Sequence, residues 1–136
     1  MPPTVIIACL ISLHLLNFLY KGGGIKSLNL MLDPKKVTPL NSLYYIKITR
    51  EYFQSKFIFG DIDLAKWDFD LAKKRLDEAL ILKSSGSSKP AKAQVSTALK
   101  YQAKGVSLLN QLIDKTDTNF LIQERDDNKK LLDSFK

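Results

Sequence analysis

Three side chains in the middle of the chain are spaced for charge pairing: Lys47, Glu51 and Arg75. Lys47 and Glu51 lie one helical turn apart, so on a helix they share a face and can pair with each other. Alternatively, Glu51 reaches Arg75 across an interface between helices. If buried, such a trio fixes packing register more than it adds stability, because lost hydration offsets the attraction. The competing chemistry is a Glu–Arg pocket for a ligand; the structural reading is preferred. Glu51, Glu78 and Glu124, with many aspartates, could in principle supply an acid/base pair. None lies in a glycine-rich loop or shares a motif with a nucleophile, and Asp68 and Asp70 point different ways on a helix. Carboxylates in the first turns of a helix serve its dipole. No phosphate loop, zinc spacing, calcium loop or nucleophile elbow occurs. The expectation is a non-enzymatic protein with no catalytic, cofactor-binding or metal-ligating residues.

A second group is basic. Between Ala79 and Ile113 there is no acid, but there are Lys83, Lys89, Lys92, Lys100 and Lys104. Lys92, Lys100 and Lys104 form a candidate face for an anionic partner, lipid or an acidic polymer. Lys100 and Lys104 share their helical face with Thr97, Ser107 and Gln111. The plainer reading is a solvated outer face. Nucleic acid is disfavoured, because aromatics do not interleave with the lysines and arginine is scarce.

The elements that must position these groups are helical. The chain has 136 residues, which favours one folded domain, and 21 Lys and Arg against 14 Asp and Glu give a formal charge of +7. Every charged side chain lies at or after Lys21. Before it, Thr4 to Tyr20 is an uncharged run of 17 residues, roughly 26 Å as a helix and at the short end for crossing a bilayer. It reads first as a single-span membrane anchor. A cleaved signal peptide and a buried helix remain open. Against cleavage, no basic residue precedes the run and no small-x-small site follows it. Ile6-Ile7-Ala8-Cys9 looks like a lipobox but has most of its apolar region on the wrong side. The single cysteine, Cys9, and single histidine, His14, both fall in this run. An intramolecular disulfide, His-rich metal sites and a haem held by a bundle histidine are thereby excluded. By the positive-inside rule alone, Lys21, Lys26, Lys35 and Lys36 would keep the folded part cytoplasmic.

Residues 1–21 are thus an anchor or signal-like segment, 22–38 a linker with a flexible glycine triplet, and 39–136 a helical domain. Asn41 to Phe59 reads as a helix of about five turns. Its apolar residues form two stripes: Leu43, Ile46, Phe53, Phe57 and Ile58, then Tyr44, Tyr45, Ile48, Tyr52 and Phe59. A helix apolar on two sides must be covered on both, which places it in the middle of a bundle. Thr38-Pro39 or Asn41-Ser42 starts it, and Gly60 ends it in a left-handed conformation. Asp61 or Asp63 caps the second helix, whose face is Ala65, Phe69, Ala72, Leu76 and Ala79. After a polar connection, a third helix from about Ala91 to Lys115 carries a seam of Val95, Leu99, Gln102, Val106, Leu109 and Ile113. Gly105 is a weak point within it. The last helix, Asn119 to Ser134, has a polar middle and is expected to fray.

Asn41-Ser42-Leu43-Tyr44-Tyr45-Ile46-Lys47, followed by Glu51, resembles the Ser-Pro-Leu-Tyr-x-Leu-Lys…Glu signature of a bacterial family of domains of unknown function. Ala72, Arg75, Leu76, Glu78 and Ala79 match its Ala-x-x-Arg-Leu-x-Glu-Ala pattern. The resemblance covers Pro39 to Leu82 and, more loosely, the next two helices. It departs at Asn41, Ser42 and Ile46, which stand for serine, proline and leucine. What it implies is a helical module behind an amino-terminal membrane segment, outside the cytoplasm, with no established activity. That topology opposes the bare charge count. The combined expectation is an all-α protein: an N-terminal apolar helix, transmembrane or signal-like, then an antiparallel bundle of about four helices. Its partners are the membrane, through the first segment, an unidentified protein and, alternatively, an anionic polymer or lipid.

Overall fold

The computed structural model describes residues 37–136. The expected anchor, residues 1–21, and the linker up to residue 36 lie outside the described residues. Four helices follow in order: α1 (Tyr44–Ser55), α2 (Asp61–Ser84), α3 (Ser88–Leu112) and α4 (Asn119–Asp133). Among the described residues there is no strand, and the helices pack as a bundle. Long-range pairs give the directions. Lys47 meets Glu78 and Glu51 meets Arg75, so α1 runs antiparallel to α2. Asn128 reaches Phe69 and Gln102, and Leu121 packs with Ala65 and Leu109, so α4 runs alongside α2 and against α3.

Local chemistry sets the ends. The Asn41 N–H donates to the Thr38 carbonyl at 2.9 Å, and the Asn41 side chain accepts from the Leu43 N–H at 2.9 Å. This turn consumes the first residues of the expected five-turn helix, so α1 starts only at Tyr44 and is 12 residues long. Gly60 does not end it. With φ 127° and ψ 137°, Gly60 precedes α2, and its carbonyl accepts from the Leu64 N–H at 2.9 Å. Neither Asp61 nor Asp63 caps α2 with its side chain; both sit in the first turn, with Lys83 in the last, as the dipole favours. The left-handed helix end is at Gly86 (φ 80°). There the Ser87 N–H donates to the Leu82 carbonyl at 2.8 Å and the Gly86 N–H to the Lys83 carbonyl at 3.1 Å. This paired closure is the Schellman motif, and it turns the chain directly into α3.

α2 and α3 pack closely along their length. α2 contributes Ala65, Ala72 and Ala79, one every seven residues, and α3 contributes Ala91, Ala98 and Gly105 at the same interval; all are buried. The seam of α3 is therefore turned from the expected one. Ala91, Gln94, Ala98, Gln102, Gly105, Leu109 and Leu112 face inward, whereas Leu99 and Ile113 are exposed. Nor is Gly105 merely a weak point. A Cβ there would lie 2.8–3.0 Å from the ring of Phe69, so only glycine admits that ring. α4 is helical through its polar middle, because Asn128 is buried and donates to the Phe69 carbonyl (3.0 Å) and to Gln102 Oε1 (3.1 Å). Gln102 in turn donates to the Arg125 carbonyl at 3.0 Å.

The largest difference from the sequence reading is α1. It is not sheathed in the middle of the bundle. Its backbone approaches the other helices hardly at all, and its polar arc faces them. Lys47 and Glu51 are the buried residues of the helix, while Tyr45 is 79% exposed, Tyr52 59% and Ile46 52%. Phe57 and Phe59 beyond its end are exposed as well. Only Tyr44, Ile48 and Ile58 of the two apolar stripes are partly covered.

Candidate functional site

The inward arc of α1 meets α2 through a buried charge network. Glu51 Oε2 pairs with Arg75 Nη2, and Lys47 Nζ pairs with Glu78 Oε1. Arg75 Nη1 also donates to Glu78 Oε1 at 2.8 Å. All four side chains are almost wholly buried. Two cations balance two anions, so the cluster is neutral overall. The Tyr44 hydroxyl donates to Glu78 Oε2 at 3.2 Å and accepts from Gln94 Nε2 at 3.0 Å, which ties α3 to the same cluster. Burial opposes the Arg75 charge, but Glu78, Glu51 and Tyr44 outweigh it and hold the guanidinium above its ordinary pKa. Burial pushes the Tyr44 hydroxyl up to about 12; Arg75 opposes the shift and Glu78 adds to it.

The structure thus brings Glu51 to Arg75 but gives Lys47 to Glu78 rather than to Glu51. Glu78 was missing from the expected trio, although its place three residues after Arg75 on one helix face is a signal for it. Gln94 carried no such signal. Among the described residues, no three His, Cys, Asp or Glu side chains are grouped to hold a metal ion.

Beside the network lies a groove of about 510 Å³ where α1, α2 and α3 meet. Ile48, Leu64 and Leu71 give it an apolar floor, and Tyr52, Trp67 and Tyr101 give it aromatic walls. Each ring carries an ammonium on its face. Lys56 Nζ is 5.0 Å from the Tyr52 centroid, Lys104 Nζ 5.6 Å from Tyr101, and Lys74 Nζ 5.4 Å from Trp67. These are cation–π distances. Trp67 Nε1–H has no acceptor, and Glu51 Oε1 no donor, while both residues line the groove. Asp68 also lines it; burial raises its pKa and Lys104 draws it back down.

Lys92, Lys100 and Lys104 are all exposed on the outer side of α3, with Ser96, Ser107 and Gln111. Of the three, Lys104 alone reaches the groove. Among the described residues no helix is long and apolar enough to cross a membrane. No known family matches this sequence, and comparison with curated proteins and with solved structures finds no similar protein.

Proposed function

We propose that this is a non-enzymatic, membrane-tethered helical module, exposed outside the cytoplasm, that makes protein contacts through α1. The observation that carries the reading is the inverted amphipathicity of that helix: charges inward, and Ile46 and Phe53 outward with Phe57 just beyond its end. Large apolar side chains left exposed along one flank of a helix mark a place of contact. The tether is the uncharged run from Thr4 to Tyr20. The resemblance of residues 39–82 to a family of membrane-tethered modules agrees with it, and five of its motif positions, Tyr44, Lys47, Glu51, Arg75 and Glu78, are the residues of the buried network.

The test is a photo-crosslinking residue at position 53 of the full chain in its native membrane, with position 93 on α3 as control. A stoichiometric protein adduct formed at 53 alone, kept at about 0.5 M salt and lost with Ile46→Asp, supports the reading. No adduct at 53, or equal adducts at both positions, refutes it. The second reading is that the lysine face of α3 binds an anionic polymer or lipid. It is favoured by the exposure of Lys92, Lys100 and Lys104 in a stretch without acid, and it predicts binding that disappears at the same salt.

A further inference from the structure

The groove between α1, α2 and α3 lies on the opposite flank of α1 from Ile46 and Phe53, and it meets the buried network only at Glu51. Its shape and lining suit a small amphipathic ligand, with an apolar floor, polar and charged groups around it and a volume within the usual range for such sites. Its polar groups are unevenly matched. Lys56, just past the end of α1, and Lys104, on α3, both line the groove, each resting on a tyrosine that forms a wall. Lys74 lies against the third ring. Of the two carboxylates facing the same space, Glu51 is paired with Arg75 through Oε2 and keeps Oε1 without a donor, and Asp68 is buried with Lys104 acting on it. The Trp67 N–H is a buried donor with no acceptor, a state that costs about 1–3 kcal/mol when left unsatisfied. The groove therefore offers two ammoniums, a Trp67 N–H without an acceptor, and Ile48 and Leu64 only partly covered.

We propose that the groove binds one anionic phospholipid. Lys56 and Lys104 hold its phosphate, Trp67 Nε1–H donates to an ester carbonyl, and the start of an acyl chain lies over Ile48, Leu64 and Leu71. Phosphate attracts two ammoniums by charge-assisted hydrogen bonds, and an ester carbonyl supplies the acceptor that the indole lacks. A sugar would satisfy the indole but leave both ammoniums unmatched. Choosing a phospholipid over a free fatty carboxylate rests on the membrane-tethered reading, which supplies the lipid within reach.

Trp67 is the only tryptophan in the chain, so its emission reports on the groove alone. The full chain in phosphatidylcholine nanodiscs is titrated with dihexanoyl-phosphatidylglycerol, and with dihexanoyl-phosphatidylcholine as the zwitterionic control. The expected result is a saturable change in Trp67 emission with the anionic lipid and none with the control. Joint Lys56→Gln and Lys104→Gln substitution raises the Kd about tenfold or more through loss of two charge-assisted bonds, with helix content unchanged by circular dichroism. An equal response to both lipids, no response to either, or an undiminished response in the double variant overturns the proposal. Saturation by free decanoate without response to phosphatidylglycerol overturns the phospholipid in favour of a free fatty carboxylate. A chain that fails to co-purify with the nanodiscs defeats the tether, and the same titration in zwitterionic detergent then decides the groove by itself.

Discussion

α1 and α3 are both fastened to α2, but by opposite means. α3 comes close because its contact residues are small: Ala91, Ala98 and Gly105 lie against a helix carrying Ala65, Ala72 and Ala79. Gln94 and Gln102 are the polar members of the α3 face, and the closeness of the pair comes from its small residues, with area removed from water and dense packing behind it. α1 stands off, and the ends of Lys47, Glu51, Arg75 and Glu78 bridge the space. The small-residue interface tolerates little change in volume at any position. The ionic one tolerates changes of volume but not the loss of a partner, because each remaining charge is already out of water. The same chain thus combines a rigid hairpin with a helix whose position depends on four side chains.

Arg75 is where this contrast breaks most sharply. Arg75→Met leaves Glu51 without its partner and Glu78 with only Lys47 among the ions, and breaking a buried ion pair costs about 3–5 kcal/mol. Chemical denaturation should show a loss of that size, and amides of residues 44–55 should exchange far faster than those of α2 and α3. Replacing all four charges by apolar residues of similar size should restore most of the stability. If Arg75→Met leaves both denaturation and exchange unchanged, the network does not hold α1.

Two smaller effects probe the hairpin and its cover. Asn128→Ala leaves Gln102 Oε1 without its donor and removes the second donor to the Phe69 carbonyl, a loss of about 1–3 kcal/mol. Thermal unfolding should show it, with protection lost first in α4. Gly105→Ala gains about 1 kcal/mol in helix propensity but drives a methyl into Phe69. Overpacking costs about 1–3 kcal/mol, so the net change is a loss of about 1 kcal/mol, read from the denaturation midpoint. In the Phe69→Leu background the same substitution should become neutral or favourable. A stabilised Gly105→Ala in the parent chain would mean that the ring moves aside without cost.

The sequence exposed the helices well and their facing surfaces unevenly. The apolar face of α2 was legible, since Ala65, Phe69, Ala72, Leu76 and Ala79 repeat at helical spacing and all are buried, though buried Asp68 and Glu78 were not read with it. On α3, the larger Val95, Leu99, Val106 and Ile113 drew the seam to themselves, whereas small Ala91, Ala98 and Gly105 occupy it. A period locates a stripe, but close approach selects the smaller of two neighbouring stripes. On α1 the expectation that apolar arcs turn inward fails, because Lys47 and Glu51 find counter-charges on α2 and the aromatics do not. Glu51 with Arg75 was readable from charge and spacing. The groove was not, because Tyr52, Trp67, Tyr101 and the lysines against them come from three separate helices.

The comparison can be refined through Tyr44, which joins α1, α2 and α3 in a single hydrogen-bond chain. Its ordinary pKa is 10, and burial, with Glu78 adding and Arg75 opposing, takes it up to about 12. The folded state therefore favours the neutral phenol more than the unfolded chain does. The stability it contributes is present in full below pH 10 and is lost as the pH rises through 12. Tyr44 is only half buried, so the effect is the smallest of the series. Absorbance titration should show one tyrosine ionising near 12, and that step should vanish in Tyr44→Phe. The variant should also flatten the alkaline fall in stability, measured as the difference from the parent so that the titrating lysines cancel. If the hairpin loses stability across this range but α1 remains attached, the alkaline sensitivity belongs to another group, and Tyr44 does not couple the three helices.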